Sequence, residues 1–322
     1  MIKIFITGGT GFFGISILRF LQENKLFNNY SFYLFSRNIL KFKSNCPKSI
    51  DLSRINFIEG NILDTSSFPK NIFDYVIHAA TDSTDGLKLN HLDRSEQIVD
   101  GTRNVLDWCK NTGIKRFLFI SSGGVYGSMN KPVFEYENTC PSISNIENTY
   151  SVSKIYAEHL CFLYANKYNF STSVARCFSF VGRDLPRDAH FAIGNFLGDV
   201  IKDKPIIING DGLPIRSYMD QDDLANWLFK ILFFGKSNEI YNVGSDEEIS
   251  IKTLAELIKK IFKSNIKIIL KNKRINGQSS ERNYYVPNID KAKSELNLTL
   301  NFSLEDSISK IASNNKENES SN

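Results

Sequence analysis

The chain has 322 residues, 42% of them hydrophobic, with 39 Lys plus Arg against 35 Asp plus Glu for a formal charge of +4. That length supports one large core, or a core with a smaller attached lobe. So mild an excess of base gives no footing to nucleic-acid binding, which needs an organised basic face. The stretch Lys271 to Arg274 reads as solvated surface.

Cysteines at 46, 109, 140, 161 and 177 include no Cys-x-x-Cys pair, which argues against a disulfide-rich secreted framework. Histidines 78, 91, 159 and 190 form no metal constellation with acidic residues, so no metal is expected. The opening apolar run is broken at Gly8, which makes it a buried strand rather than a signal peptide. No later run reaches the roughly 20 apolar residues of a membrane helix. A soluble, cytoplasmic protein with no membrane or nucleic-acid partner is expected.

In chain order, a strand over Ile2 to Thr7 runs into a glycine loop, and Ile15 to Gln22 continues as a helix with Ile17, Leu18 and Leu21 on its apolar side. Strands follow over Ser31 to Phe35, Ile55 to Glu59 and Tyr75 to His78. A helix from about Ser95 to Asn111 buries Ile98, Val105, Leu106 and Cys109, and a strand covers Phe117 to Ser121. A helix begins at Tyr150, its apolar side continued by Ile155, Leu160, Leu163 and Tyr164, before a strand over Val174 to Phe178. Such alternation predicts an α/β fold, a Rossmann-type parallel sheet with helices on both faces, because each parallel crossover needs a helix to return the chain.

Beyond Phe178 the order changes. Gly182 to Asp188 is turn-like, Phe191 to Val200 helical, and Pro205 to Ile208 a strand. Short strands near Ile240 to Asn242 and Ile266 to Leu270 flank a helix over Thr253 to Phe262. The expected organisation is a cofactor-binding domain over 1–181, rejoined by segments around 213–243, and a smaller C-terminal substrate-binding lobe over most of 182–312. The Asn- and Ser-rich residues 313–322 are expected to be a disordered tail.

Gly8, Gly11 and Gly14, between a strand and a helix, fit a dinucleotide loop: one glycine for the turn, one for approach to a pyrophosphate, one for helix-on-strand packing. Thr10, Phe12 and Phe13 belong to the same loop and helix start, where phosphate oxygens meet free amides. Past the second strand, Ser36 and Arg37 replace the acidic residue that would grip the ribose hydroxyls of NAD. A hydroxyl and a fixed cation suit a 2′-phosphate, so NADP(H) is favoured and NAD(H) remains possible. Asn61 and Ile62 are placed to meet the adenine.

Tyr150 and Lys154 stand four apart and share a helix face. Moving hydride at a carbinol carbon requires moving a proton at its oxygen. A tyrosine does so near neutral pH when a neighbouring ammonium favours its phenolate. Ser122, at a strand end, adds a second hydrogen bond to that oxygen, and Lys154 can also hold the nicotinamide ribose.

Together, the run Thr7 to Gly14, His78-Ala79-Ala80, Gly101-Thr102, the run Ser121 to Gly127, Tyr150 with Lys154, Arg176-Cys177-Phe178, and Gly210-Asp211-Gly212 leading to Arg216 through Asp220 carry a likeness. Over roughly residues 1 to 312 the chain resembles the extended short-chain dehydrogenase/reductase family, in its nucleotide-sugar epimerase/dehydratase group. The resemblance implies that Ser122, Tyr150 and Lys154 are catalytic, and that Ser121, Ala79, Ala80 and Phe178 line the cofactor. It places Gly123 and Ser179 toward the substrate, His190 and Phe191 at the nucleotide diphosphate, and Arg216 as a phosphate clamp with Arg282 as a second arginine. It also implies a homodimer, with helices 95–111 and 150–166 pairing in a four-helix bundle.

The departures bear on the reaction. Sugar 4,6-dehydratases carry an Asp-Glu pair after the catalytic hydroxyl residue, and this chain has Gly123-Gly124, which argues against dehydration. Ser179, Ile98 and His190 each stand where relatives often have asparagine; a histidine at 190 reads equally as a satisfied surface residue. Two reactions on a dTDP-, CDP-, UDP- or GDP-linked sugar remain. NADPH-dependent reduction of a 4-keto group is favoured through Arg37, and 4-epimerisation with a retained cofactor is the alternative. A catalytically silent cofactor-binding protein is the third reading.

Overall fold

The computed structural model describes residues 1–81, 89–189, 191–271 and 283–320, with side chains described up to residue 315. In its first half, β1 (Ile2–Thr7), α1 (Phe12–Glu23), β2 (Tyr30–Ser36), α2 (Ile39–Asn45), β3 (Ile55–Glu59) and β4 (Tyr75–His78) are followed by α3 (His91–Cys109), β5 (Arg116–Ser122), α4 (Thr149–Tyr168) and β6 (Ser171–Cys177). Then come β7 (Phe180–Val181), α5 (Ala192–Ile201), β8 (Ile206–Ile208), β9 (Ile215–Arg216), β10 (Met219–Asp220), α6 (Gln221–Phe234) and β11 (Glu239–Val243). The chain closes with β12 (Ile249–Ser250), α7 (Ile251–Ile261), β13 (Ile268–Leu270), β14 (Tyr284–Tyr285), α8 (Asp290–Leu296) and α9 (Leu304–Ser320).

Seven strands form one parallel sheet in the order β11-β6-β5-β4-β1-β2-β3. β1 lies inside the sheet between β4 and β2, and Ile4, Phe5 and Ile6 are all buried, the unbroken apolar run of a strand covered on both faces. On one side α1 supplies Ile17, Leu18 and Leu21, while α6 supplies Leu224, Trp227, Leu228 and Ile231. On the other, α3 and α4 supply Ile98, Val105, Leu106, Leu160 and Cys161. The strand order reverses between β1 and β4, and in open α/β sheets ligands bind in the crevice outside that reversal. A separate cluster joins α5, α7, β8 and α9 through Ile193, Leu197, Ile206, Leu254, Ile258 and Ile308.

The architecture agrees with the α/β, Rossmann-type expectation, and element ends differ for identifiable reasons. α3 begins at His91 rather than near Ser95, because the Asn90 side chain caps it by accepting from the Asp93 amide at 2.9 Å. The strand read at Ile240 to Asn242 is β11, paired along β6 at the edge of the large sheet. Leu163, expected on the apolar side of its helix, is 50% exposed; the inward face of α4 instead carries Ser151, Lys154, Ala157, Glu158 and Cys161. The tail expected to be disordered from residue 313 is corrected too: α9 runs to Ser320, extended from turns anchored by buried Leu304, Ile308 and Ile311.

Candidate active site

After β1 the chain turns at Gly8, whose φ of +72° lies in the left-handed region. A Cβ there would sit 2.6 Å from the backbone of Ala79 and Ala80, so this glycine lets the loop press on the end of β4. A Cβ on Gly14 would run into the Gly9 backbone, which fixes α1 close against the loop. Gly11 differs: its nearest described neighbour, the Gly8 carbonyl oxygen, would be 3.7 Å from a Cβ. α1 starts on Gly11 without a side-chain cap, leaving its first amides for an acceptor from outside. Phe12 and Phe13 turn away to pack on Phe180, at 6.4 and 5.4 Å between ring centroids. This open-sided cradle fits a dinucleotide pyrophosphate.

At the end of β2 the Ser36 and Thr10 hydroxyls lie 3.1 Å apart, with Arg37 exposed beside them. Asn61 uses its Oδ1 to accept from the Leu63 amide at 3.1 Å. Ile62 buries its side chain against Gly101, and its carbonyl accepts from Asn104 Nδ2 at 3.0 Å, so backbone rather than side chain is what Ile62 can offer an adenine.

A buried chain of hydrogen bonds sets the end of β4. The Thr102 hydroxyl donates to the Ile98 carbonyl at 2.6 Å and must therefore accept from His78 Nε2 at 3.0 Å. His78 Nδ1 then accepts from the Thr7 hydroxyl at 2.6 Å, and Thr7 accepts from the Ala80 amide at 3.3 Å. Burial first, and the Lys154 charge second, push His78 down to about 3, so it is neutral, as this wiring requires.

Ser122 ends β5, its Oγ accepting from the Gly124 amide at 3.1 Å and keeping its own proton for another acceptor. Tyr150 and Lys154 lie on the first turns of α4. The Lys154 ammonium is 2% exposed and donates to Thr81 Oγ1 at 2.9 Å and to the Ile120 carbonyl at 2.8 Å. It stands 5.9 Å from the centre of the Tyr150 ring. Burial brings it down to about 8, and the surrounding groups only partly offset this. Ser121 turns the other way and donates to Glu158 at 2.5 Å, while Glu158 holds Arg176 in an ion pair of 2.7 Å.

Phe178 follows β6, its amide donating to the Val243 carbonyl at 2.9 Å. Its ring fills the space beside Gly123, where a Cβ would lie 2.7 Å away, and packs on Tyr285 at 4.8 Å. Tyr285 is the backbone partner of Arg216 in the β14–β9 pairing, which brings Arg216 toward this side of the site; one guanidinium nitrogen donates to the Ile215 carbonyl at 2.7 Å. The Ser179 carbonyl accepts from the Met219 amide at 3.0 Å. Phe191 stands at the N-cap of α5, which has no side-chain capping hydrogen bond. His190 and Arg282 lie outside the described residues.

Three groups escaped the sequence reading. Thr81 follows the recognised His78-Ala79-Ala80 run directly. Glu158 was readable as four residues beyond Lys154, hence on its face. Arg94 packs on Tyr150, its guanidinium carbon 4.8 Å from the ring centre; four residues before buried Ile98, it is a cation on an inward helix face.

The model of the NAD dependent epimerase/dehydratase family matches residues 4–244. The chain belongs to that family. Among its members, a dTDP-D-glucose 4,6-dehydratase of Dictyostelium discoideum is 32% identical over 80% of this chain and 61% of its own length. A putative UDP-glucose 4-epimerase of Methanocaldococcus jannaschii is 30% identical over 80% of this chain and 81% of its own. The crystal structure of a UDP-glucuronic acid 4-epimerase from Bacillus cereus, in complex with UDP-glucuronic acid and NAD, superposes with a TM-score of 0.83 at 25% identity, covering 98% of this chain and 99% of that one. The chain spans under two thirds of the Dictyostelium relative and about two fifths of two trifunctional Arabidopsis thaliana relatives. Among the described residues no helix is long and apolar enough to cross a membrane, and no group of three or more His, Cys, Asp and Glu is gathered to hold a metal.

Proposed function

We propose that the chain reduces the 4-keto group of a nucleotide-linked deoxysugar with NADPH. The observation that carries this is a buried Lys154 ammonium 5.9 Å from the centre of the Tyr150 ring and bonded to the Ile120 carbonyl of β5, the strand that ends in the Ser122 hydroxyl. A bound nicotinamide supplies the hydride to the carbonyl carbon. Tyr150 gives its proton to the carbonyl oxygen, so the C=O π pair becomes an O–H bond. Ser122 donates to the same oxygen, its acceptor side already satisfied by Gly124. Two N–H bonds of Lys154 are committed to Thr81 and Ile120, and the third is left for the phenol oxygen or the ribose.

The fit of Phe178 against Gly123 argues against dehydration, since the slot for an acid at residue 123 is filled by a ring. Arg37 beside Ser36 and Thr10 supports NADP(H) over NAD(H). The second reading, 4-epimerisation, is supported by the relatives named as epimerases. We read residues 1–181 with 213–243 as the cofactor-binding part and most of 182–312 as the substrate side. We further infer a homodimer through α3 and α4, where Leu92, Tyr156 and Leu163 are exposed.

The test mixes the purified chain with NADPH and dTDP-, CDP-, UDP- or GDP-linked 4-keto-6-deoxy sugars. Stoichiometric loss of NADPH absorbance with a product two mass units heavier supports the reductase. Interconversion of a sugar nucleotide without net absorbance change supports the epimerase. Turnover retained by Tyr150→Phe removes the assigned proton donor, and binding without turnover leaves the silent protein.

A further inference from the structure

We infer that Arg94 is a positioning and charge-supplying residue for Tyr150, holding a permanent cation over its ring so that the tyrosinate form is stabilised independently of Lys154. This rests on the reading of Tyr150 as the proton donor. The Arg94 guanidinium carbon is 4.8 Å from the ring centre, nearer than the Lys154 ammonium at 5.9 Å. Arg94 is half-buried in the second turn of α3, where its amide donates to the Asn90 carbonyl at 3.0 Å. The neutral phenol gains from this contact through the ring quadrupole. The phenolate gains more, because its negative charge is delocalised over the face the guanidinium covers.

The two cations are not redundant. Lys154 is a buried amine brought down to about 8, chiefly by burial and slightly by the Arg94 charge, so its own charge fades in mildly alkaline solution. A guanidinium keeps its charge throughout. Among the described residues, the other charged or titratable groups near these turns are otherwise engaged or screened. On α3 the Asp93 carboxylate accepts from Asn90 Nδ2 at 2.7 Å, and His91 faces Glu147, from the turn ahead of α4, at 3.8 Å in solvent. On α4 Glu158 is committed to Arg176 and Ser121. The ends of β4 and β5 bring the neutral Thr81 and Ser122.

The experiment is a pH titration of the full chain carrying tyrosine labelled at Cζ with carbon-13, followed by NMR, with Tyr150→Phe assigning the signal. Arg94→Met keeps the apolar stem and removes the charge. It should raise the Tyr150 midpoint by about one unit, a tenfold change. Arg94→Lys, with a point charge in place of the plane, should raise it by less, and it serves if the methionine variant does not fold. An unmoved or lowered midpoint in a folded variant overturns the inference. The titration needs no substrate, so the functional reading fails separately, through turnover retained by Tyr150→Phe.

Discussion

The Glu158–Arg176 pair ties α4 to β6 of the sheet, and its cost on breakage can be worked from the structure. The two side chains are 4% and 13% exposed, in contact at 2.7 Å, with a second guanidinium nitrogen at 3.1 and 3.3 Å from the carboxylate oxygens. Arg176 also covers the Tyr126 ring at 4.6 Å. Removing one partner strands the other charge away from water, at about 3–5 kcal/mol. Arg176→Met adds the lost ring contact, about 1–2 kcal/mol when desolvated. Glu158→Gln keeps an acceptor for Ser121 and isolates the charge. In urea unfolding at neutral pH each single variant should lose about 3 kcal/mol or more, while the double variant should lose about 2–3 kcal/mol less than the sum. Additive losses would refute the reasoning, since they would mean that neither charge depends on the other.

Other perturbations follow from the same geometry. His78, neutral in the fold with a value near 3 against 6.5 when unfolded, contributes stability that is complete above pH 6.5 and lost as pH falls toward 3. That amounts to about 4–5 kcal/mol, so His78→Gln should flatten the acid limb of a stability–pH curve relative to wild type. Gly123→Asp should lose about 1–3 kcal/mol by driving its Cβ into the Phe178 ring, and Phe178→Ala should recover part of that loss in urea unfolding. Arg37→Ala should weaken NADPH binding by about 10- to 100-fold in a fluorescence titration, the worth of charge-assisted hydrogen bonds, and leave NADH binding nearly unchanged.

The geometry of the glycine loop was legible because its constraints are local. A strand, a left-handed turn at Gly8 and an uncapped helix are written in consecutive residues, and Tyr150 and Lys154 declare themselves by helical spacing. The inward face of α4 was not, because its buried side mixes polar with apolar residues: among the described residues Lys154 and Glu158 are satisfied by Thr81, Ile120, Ser121 and Arg176, which lie on other elements. Apolar periodicity therefore selected Leu163, which faces outward. Arg94 went unread for the same reason, since only the packing of α3 on α4 shows that it meets a tyrosine.

Family membership and reaction type come from different residues in this chain. Relatives named as a dehydratase and as an epimerase match it with similar identity, 32% and 30%. What bears on the reaction is the chemistry available beside Ser122. Here the residue after Ser122 has no side chain, and Phe178, braced by Tyr285 and close to Gly244, occupies the volume a carboxylate would need. An acidic side chain at 123 would therefore meet the Phe178 ring first, and the ring must move before a carboxylate fits there. The aromatic backing and the glycine pair therefore form one feature, a wall of ring and backbone beside Ser122 with no room for an acidic side chain at 123.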